Sequence, residues 1–361
     1  MESRIECARA EDFVKTIPDG SINLIVTDPP YHRVKMDHAW DRQWKSDDAF
    51  LEWIDGLCRE WRRVLAPNGS LYVFASPQMG SRVECVVRKH FAVLCNIRWR
   101  KESGRHKAAH KEGLRAPFPA SETVIFAEQY GADSTAMGGS GYEAKCDELR
   151  GFVFEPLRAY LDGERVRAGF NFDAVRVVVG CAAGSGLPSH WFTKSQWMLP
   201  TRENYEKLHA AFNAGAGGGF LRREYEDLRR EYEDLRRPFA LTADVPYTDV
   251  WDFPTVQRYP GKHACEKPPD MGLHIVRASS RPGNVVADFF AGSGTFLAAA
   301  AALGRVALGC DMDKHWADVT RDRVARSAAS GQLEPAIVGK VPRTIRRAKQ
   351  DAEQQRQLEV F

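Results

Sequence analysis

The stretch VVADFFAGSGTF, Val285 to Phe296, reads as a buried strand, an acidic residue, a glycine-rich turn and the start of a helix. That order puts backbone N–H groups and a helix N-terminus around a bound group, and it demands an α/β sheet with a parallel strand feeding the helix. A second strand, RVALGCD at 305–311, ends in Asp311 at the spacing where an acidic residue can take two ribose hydroxyls. A nucleoside-bearing cofactor follows. A nicotinamide dinucleotide is the competing reading, but FAGSG lacks the GxGxxG spacing that brings a helix up to a pyrophosphate.

The rest of the chain repeats the alternation. Ser21 to Val26 reads as a buried strand, Asp47 to Leu65 as a helix with Phe50, Trp53, Ile54, Leu57, Trp61, Val64 and Leu65 on one face, and Leu71 to Ala75 as a strand. Pro67, Asn68 and Gly69 are expected to break the chain between the last two. A helix near 79–90, strands near 93–99 and 123–127, a helix over 271–279 and a strand over 284–288 complete a largely parallel sheet with helices on both faces.

Between about 130 and 245 the alternation fades into glycine clusters, aromatics and charges, which predicts an inserted region. The domain plan is then 1–129 as the first half of the α/β unit, 130–245 as the insertion, 246–330 as the second half and 331–361 as a helix or tail. Within the insertion the heptad EYEDLRR occurs at 224–230 and again at 231–237. Leu221, Tyr225, Leu228, Tyr232 and Leu235 fall at helical spacing, and Glu226 to Arg230 and Glu233 to Arg237 form i,i+4 pairs. This predicts one short amphipathic helix, because a coiled coil needs more heptads. Trp191, Phe192 and Trp197 read as core.

With 361 residues, 43% of them hydrophobic and 27% charged, the chain can bury a substantial core. A net charge of +3 does not select a polyanion partner by itself. The eight cysteines have no CxxC pair, which argues for reduced thiols and against a zinc knuckle or disulfide framework. The N-terminus MESRIECARA is charged where a signal peptide would be apolar, and the longest apolar run, FLAAAAAL at 296–303, is too short to span a bilayer. A soluble, cytoplasmic protein is expected.

Immediately behind INLIV stands TDPPYHR, Thr27 to Arg33. Two prolines cannot donate ladder hydrogen bonds, so they stop a sheet. A carboxylate, two prolines and an aromatic ring can instead present acceptors in a rigid row beside a stacking surface. Asp28 and the carbonyl of Pro29 would accept the two hydrogens of an exocyclic amino group and aim its lone pair at an electrophile, while Tyr31 stacks on the heterocycle.

Together these motifs resemble the DNA amino-methyltransferases that use S-adenosylmethionine, in the beta group whose DPPY motif precedes the cofactor loop. The resemblance covers most of residues 10–320: LIVTDPPY, the block at 50–74, IRWRKE at 97–102, KHACEKPPDMGLHIVRASSRPGNVVADFFAGSGTF at 262–296 and GCDMDKHW at 309–316. It implies a Rossmann-like methyltransferase sheet, S-adenosyl-L-methionine as cofactor, double-stranded DNA as partner, a flipped target base and a homodimer. Asp28, Pro29, Pro30 and Tyr31 match the catalytic motif. Asp288, Phe290, Ala291, Gly292, Ser293, Gly294 and Thr295 match the methionine-binding loop, Asp288 suiting the cofactor's ammonium group. Asp311 matches the ribose-binding acid, and Lys267 and Pro268 match an EKP motif beside the cofactor. Asp at the first catalytic position goes with adenine N6, so a site-specific adenine methyltransferase is implied. Such an enzyme would be bacterial or phage-encoded, acting at the nucleoid in restriction-modification or epigenetic marking. The alternatives are an N4-cytosine DNA enzyme, an RNA or protein amino-methyltransferase, or a catalytically dead DNA-binding regulator on the same scaffold.

Residues 130–245 would be the target-recognition region of such an enzyme. Phe289 stands where the family has Pro and Phe296 where Thr is common; both read as packing changes. The family's acidic residue ahead of the TDPPY strand aligns near Ala8 and Arg9, so only Glu11 or Asp12 could replace it. Positive charge for a DNA backbone is offered by Arg98, Arg100, Lys101, Arg105, Lys107, Lys111 and Arg115. His106 and His110 lack an acidic or Cys partner, so no metal is expected.

Overall fold

Residue 27 ends a strand that lies at the centre of an eight-stranded sheet of order β1-β8-β7-β2-β3-β5-β4-β6. The computed structural model describes residues 2–35, 37–101, 115–117, 119–129, 154–182, 184–194, 197–214, 217–240 and 248–333. The strands are β1 (Arg4–Cys7), β2 (Ile22–Thr27), β3 (Leu65–Ala75), β4 (Ala92–Arg100), β5 (Ser121–Glu128), β6 (Val250–Trp251), β7 (Val285–Asp288) and β8 (Val306–Asp311). Neighbours pair in parallel except where β5 runs antiparallel to β3 and β4. This is the largely parallel α/β sheet that the strand-helix alternation predicts.

The helices of this unit are α1 (Ala10–Phe13), α2 (Asp47–Val64) and α3 (Gly80–Val87) in its first part. Among the described residues α4 (Glu155–Arg167), α5 (Phe172–Val179), α6 (Arg202–Asn213) and α7 (Tyr225–Leu235) belong to the inserted unit, and α8 (Pro269–Ser279), α9 (Thr295–Ala302) and α10 (Lys314–Ser330) follow it. Helix α2 starts where Ser46 accepts from Ala49 N at 3.1 Å, with Asp47 and Asp48 in the first turn and Arg62 and Arg63 in the last. Cap and charges all suit the helix dipole. Its apolar face, Phe50, Ile54, Leu57, Trp61 and Val64, packs with Phe13, Phe91 and Phe289 on one side of the sheet. Met271, Ile275, Leu297 and Ala300 pack with Leu24, Val26 and Phe74 on the other. Each large side chain so buried contributes roughly 1.5–3 kcal/mol.

Pro67 to Gly69 do not separate α2 from the next strand. Strand β3 begins at Leu65, directly after the helix, and its register against β2 jumps from Ile22↔Leu65 to Leu24↔Ser70. The proline-glycine segment is accommodated as an irregularity within the strand, where Pro needs no ladder partner.

The chain divides into two compact units, residues 1–129 with 238–361, and residues 130–237. The second boundary falls at Arg237, ahead of the expected 245, because the chain rejoins the first unit at once: Phe239 stacks on Phe126 and Ala240 N donates to Ala278 O at 2.8 Å. In the inserted unit Leu157, Leu161, Trp191, Phe192, Tyr205, Leu208 and Leu228 form a core of their own, with Trp197, Tyr225, Tyr232 and Leu235 against it. The duplicated heptad forms one helix, α7, but Leu221 lies ahead of it in a left-handed conformation (φ 50°) and joins the core from the preceding segment. The expected Glu226 to Arg230 pair does not form: Glu226 pairs with Arg202 of α6 and Arg230 with Asp227 at 3.2 Å, since a neighbouring helix competes for the same carboxylate.

Candidate active site

The strand order sets the site. Leaving β2 the chain builds outward to β3, and leaving β7 it builds the other way to β8, so the carboxyl ends of the adjacent strands β2 and β7 flank a topological switch point. Asp28 follows β2 and Asp288 ends β7, and Thr27 Oγ1 donates to Asp288 Oδ1 at 3.1 Å. A cavity of about 710 Å³ opens there, lined among others by Asp28 to Tyr31, Asp288, Phe290 to Ser293, Thr295, Asp311 and Lys267. Its size suits a cofactor together with part of a second substrate. Gly294 and Pro268 do not line it: Gly294 precedes α9 in a left-handed conformation, and Pro268 precedes α8.

At one end the FAGSG turn is tied to its surroundings. Gly292 N donates to Asp311 Oδ2 at 2.8 Å, Thr320 Oγ1 donates to Gly292 O at 2.9 Å, and the buried Arg323 donates to Ser293 O at 2.9 Å. Gly292 (φ +50°) and Gly294 (φ +75°) are left-handed, and a Cβ on either would lie within 3 Å of His263 or Thr320. Asp288 is buried, and burial pushes its carboxyl up to about 7 against hydrogen bonds from Phe290 N and Thr27. Asp311 is raised too, chiefly by burial, although Asp313 N and Gly292 N both donate to it. Of the two acids proposed ahead of β2, Glu11 lines the cavity and accepts from Trp53 Nε1 at 2.6 Å. Burial alone would raise Glu11, but the Trp53 and Arg9 contacts hold it below the usual range. Asp12 faces outward toward Lys15.

At the other end Asp28 Oδ2 receives the ammonium of Lys267, while Asp28 Oδ1 is buried with no hydrogen-bond partner among the described residues. The Lys267 side chain, on the cavity wall, is held by Asp28, and its backbone carbonyl accepts from Thr295 Oγ1 at 3.2 Å. Tyr31 donates its hydroxyl to Glu122 Oε2 at 3.0 Å, and Lys267 Nζ lies 3.6 Å from the same oxygen. Burial pushes Asp28 above its ordinary range, opposed by Lys267 and reinforced by Glu122. Glu122 goes the other way, since Lys267 and Lys101 outweigh its desolvation.

The turn after the prolines is held by a residue the motif did not reveal. His32 (φ 60°) and Arg33 (φ 64°) are consecutive left-handed residues, a conformation costing about 1–3 kcal/mol each without glycine. The fully buried Asp41 carboxylate offsets it by accepting from His32 N at 2.8 Å, Val34 N at 2.7 Å and Lys35 N at 2.5 Å. The His32 ring stacks on Phe50 of α2 at 5.4 Å, which anchors the turn to the core. Phe289 and Phe296 are packing residues as read, the first against Phe13 and Trp61, the second against Phe74.

The basic run fares unevenly. Arg98 donates to Thr123 Oγ1 at 2.7 Å, Arg100 pairs with Asp252, and Lys101 turns into the cavity onto Glu122. Arg115 is exposed. Arg105, Lys107 and Lys111, with His106 and His110, lie outside the described residues. Among the described residues no cluster could hold a metal, the cysteines are free thiols, and no helix is long and apolar enough to cross a membrane.

Comparison with known proteins gives this arrangement its class. The DNA methylase family profile, covering N6 and N4 amino-methyltransferases, matches residues 22–322, and the chain belongs to that family. Among curated relatives, the DNA adenine methyltransferase YhdJ of Escherichia coli (strain K12) is 24% identical over 306 residues, 84% of this chain and 76% of YhdJ. The type II methyltransferase M1.MboII of Moraxella bovis is 25% identical over 319 residues, 84% of this chain and 90% of its own. The crystal structure of a DNA modification methylase from Thermus thermophilus, TTHA0409, complexed with S-adenosyl-L-methionine, aligns over 94% of this chain and 99% of its own, at 21% identity and a TM-score of 0.48.

The chain is therefore a DNA methyltransferase, and its cofactor is S-adenosyl-L-methionine. The cavity fits that cofactor: Asp288 is a buried carboxylate without a cation among the described residues, the left-handed glycines let the turn pack closely on His263 and Thr320, and Trp53 and Phe290 supply apolar wall.

Proposed function

We propose that this chain methylates the exocyclic N6 of adenine in double-stranded DNA, acting on a base extruded from the helix. The observation that carries the reading is Asp28 Oδ1, a buried acceptor without a partner among the described residues, in a side chain that lines the cavity together with Tyr31. Leaving a buried carboxylate oxygen unsatisfied is costly, and an amino N–H is the group that would satisfy it. Asp28 and the Pro29 carbonyl would hold the amine's two hydrogens, so that its lone pair points away from the protein acceptors and toward the donor. Asp288 would hold the cofactor's ammonium, Asp311 its ribose, and Glu11 with Trp53 its far end; when bound, the cofactor supplies an electrophilic sulfonium methyl. A stacked base cannot reach Asp28, hence the extrusion.

Adenine is favoured by Asp at the first motif position and by the name of the relative YhdJ. The order of DPPY before FAGSG supports DNA over RNA and favours the beta group. Residues 130–237 would read the sequence, with Arg115 among the backbone contacts, and two copies would pair, which light scattering at micromolar concentration would show as twice the 40.6 kDa mass. The deciding experiment transfers a labelled methyl from S-adenosylmethionine to genomic DNA or RNA and identifies the nucleoside. N6-methyladenine in DNA is expected; label in N4-methylcytosine, or in RNA alone, would reject the reading.

A further inference from the structure

Beyond the motif residues the catalytic end contains a second buried acid, Glu122 on β5, which no motif assigns. Its side chain is 12% exposed, and each oxygen has work: Oε1 takes Lys101, while Oε2 accepts from Tyr31 and faces Lys267 at 3.6 Å. Lys267 thus stands between two carboxylates, in contact with Asp28 and within about one ångström of contact with Glu122. Its ammonium is boxed by the rings of Phe74 at 4.9 Å and Tyr31 at 5.6 Å, with its side chain only 5% exposed. Such a cation cannot leave for solvent. It can only redistribute between its two partners.

We propose that Glu122 is a positioning residue that gives Lys267 a second seat, so that Asp28 can receive the proton released by the methylated amine. The inference rests on the amino-methylation reading and deepens it. After methyl transfer the amine nitrogen carries a positive charge and two hydrogens. One N–H bond breaks, its electron pair stays on nitrogen, and the proton bonds to Asp28 Oδ1. Asp28 is then neutral and no longer holds a cation, and Lys267 moves its ionic contact to Glu122, so no charge is left unpaired in the closed site. When the product leaves, Asp28 returns its proton to water and Lys267 moves back. Without Glu122, Lys267 would bind Asp28 alone and oppose protonation, because an opposite charge at contact depresses a carboxyl while a like charge nearby raises it.

The other groups facing this pair leave the exchange intact. Tyr31, with burial and the two carboxylates holding its hydroxyl protonated, stays a donor to Glu122. Lys101 stays on Glu122, and Cys265 is kept a thiol by burial. His263, pushed down to about 4 by burial and the nearby lysines, stays neutral. Asp288 lies across the cavity wall and contributes a weak like-charge effect.

The test is Glu122→Gln in the full chain, with an amide that still accepts from Tyr31. The acid limb of kcat should move to lower pH by about one unit or more, and the plateau should fall about tenfold, because a less basic Asp28 accepts the proton less readily. The Kd for S-adenosylmethionine, measured by calorimetry, should stay within about threefold, and Glu122→Asp should move the limb back toward wild type. An unchanged limb and kcat in Glu122→Gln would overturn the proposal, as would loss of cofactor binding, which would make Glu122 part of the scaffold. A wild-type protein that methylates no DNA would sink the reading beneath it, a failure told apart by the wild-type assay alone.

Discussion

Two carboxylates stand at the ends of neighbouring strands, Asp28 after β2 and Asp288 at the end of β7, and their surroundings differ in kind. Asp28 has a protein cation on one oxygen and, among the described residues, no partner on the second. Asp288 has two neutral donors, Thr27 Oγ1 and Phe290 N, both on Oδ1, and no cation among the described residues. A buried carboxylate with its own lysine can stay charged in the resting protein and offer an acceptor to a neutral amine. One without a cation is set to take an external cation. On the proposed reading, adjacent strands hold an acceptor for a neutral nucleophile, Asp28, and a receptor for a charged cofactor, Asp288.

The comparison can be broken most severely at Asp28. Asp28→Ala should lower kcat by about 10³-fold, the scale of losing an oriented polar contact at the reacting centre, while Lys267 keeps Glu122 as its partner. Residual kcat above one tenth of wild type would show that Asp28 does not orient the amine. Asp288→Asn should act on the other side of the division, weakening cofactor binding about 10- to 100-fold, since a hydrogen bond to a charged group is worth about 1.5–3 kcal/mol.

A pH titration sharpens the same point. Because burial raises Asp288 to about 7, the free protein holds a proton there in mild acid, and a bound ammonium would drive it off. Affinity for the cofactor should therefore rise about tenfold per unit as pH climbs toward 7 and level above it. Calorimetry at about pH 6 in buffers of different ionisation enthalpy should report close to one proton released on binding, and none in Asp288→Asn. The smallest effect is expected of Thr27→Val, which removes one neutral donor from Asp288: about fivefold in Kd, with the pH midpoint moved up.

Much of this was legible in the sequence because it is local. Strand, acid and turn follow one another in VVADFFAGSG, and DPPY announces a rigid sheet exit, so each motif carries its own geometry in a few residues. What escaped is long-range. Glu122 sits in SETVIFAE, where one acid at a strand start looks like an ordinary edge residue, and only folding brings it to Tyr31 and Lys267. Asp41 likewise has no signature, because its partners are backbone N–H groups of a left-handed turn that no residue type announces. Lys101 shows the converse hazard: in a basic run it reads as surface charge, yet pairing of β4 with β5 turns it inward.

The division of labour between the two acids is tested most directly by titrating S-adenosylmethionine into wild-type, Asp28→Ala and Asp288→Asn protein at about pH 7.5 in one calorimetric series. Binding within about fivefold of wild type for Asp28→Ala, with at least about tenfold weakening for Asp288→Asn, is the predicted result. Loss of binding in Asp28→Ala with wild-type affinity in Asp288→Asn would contradict it.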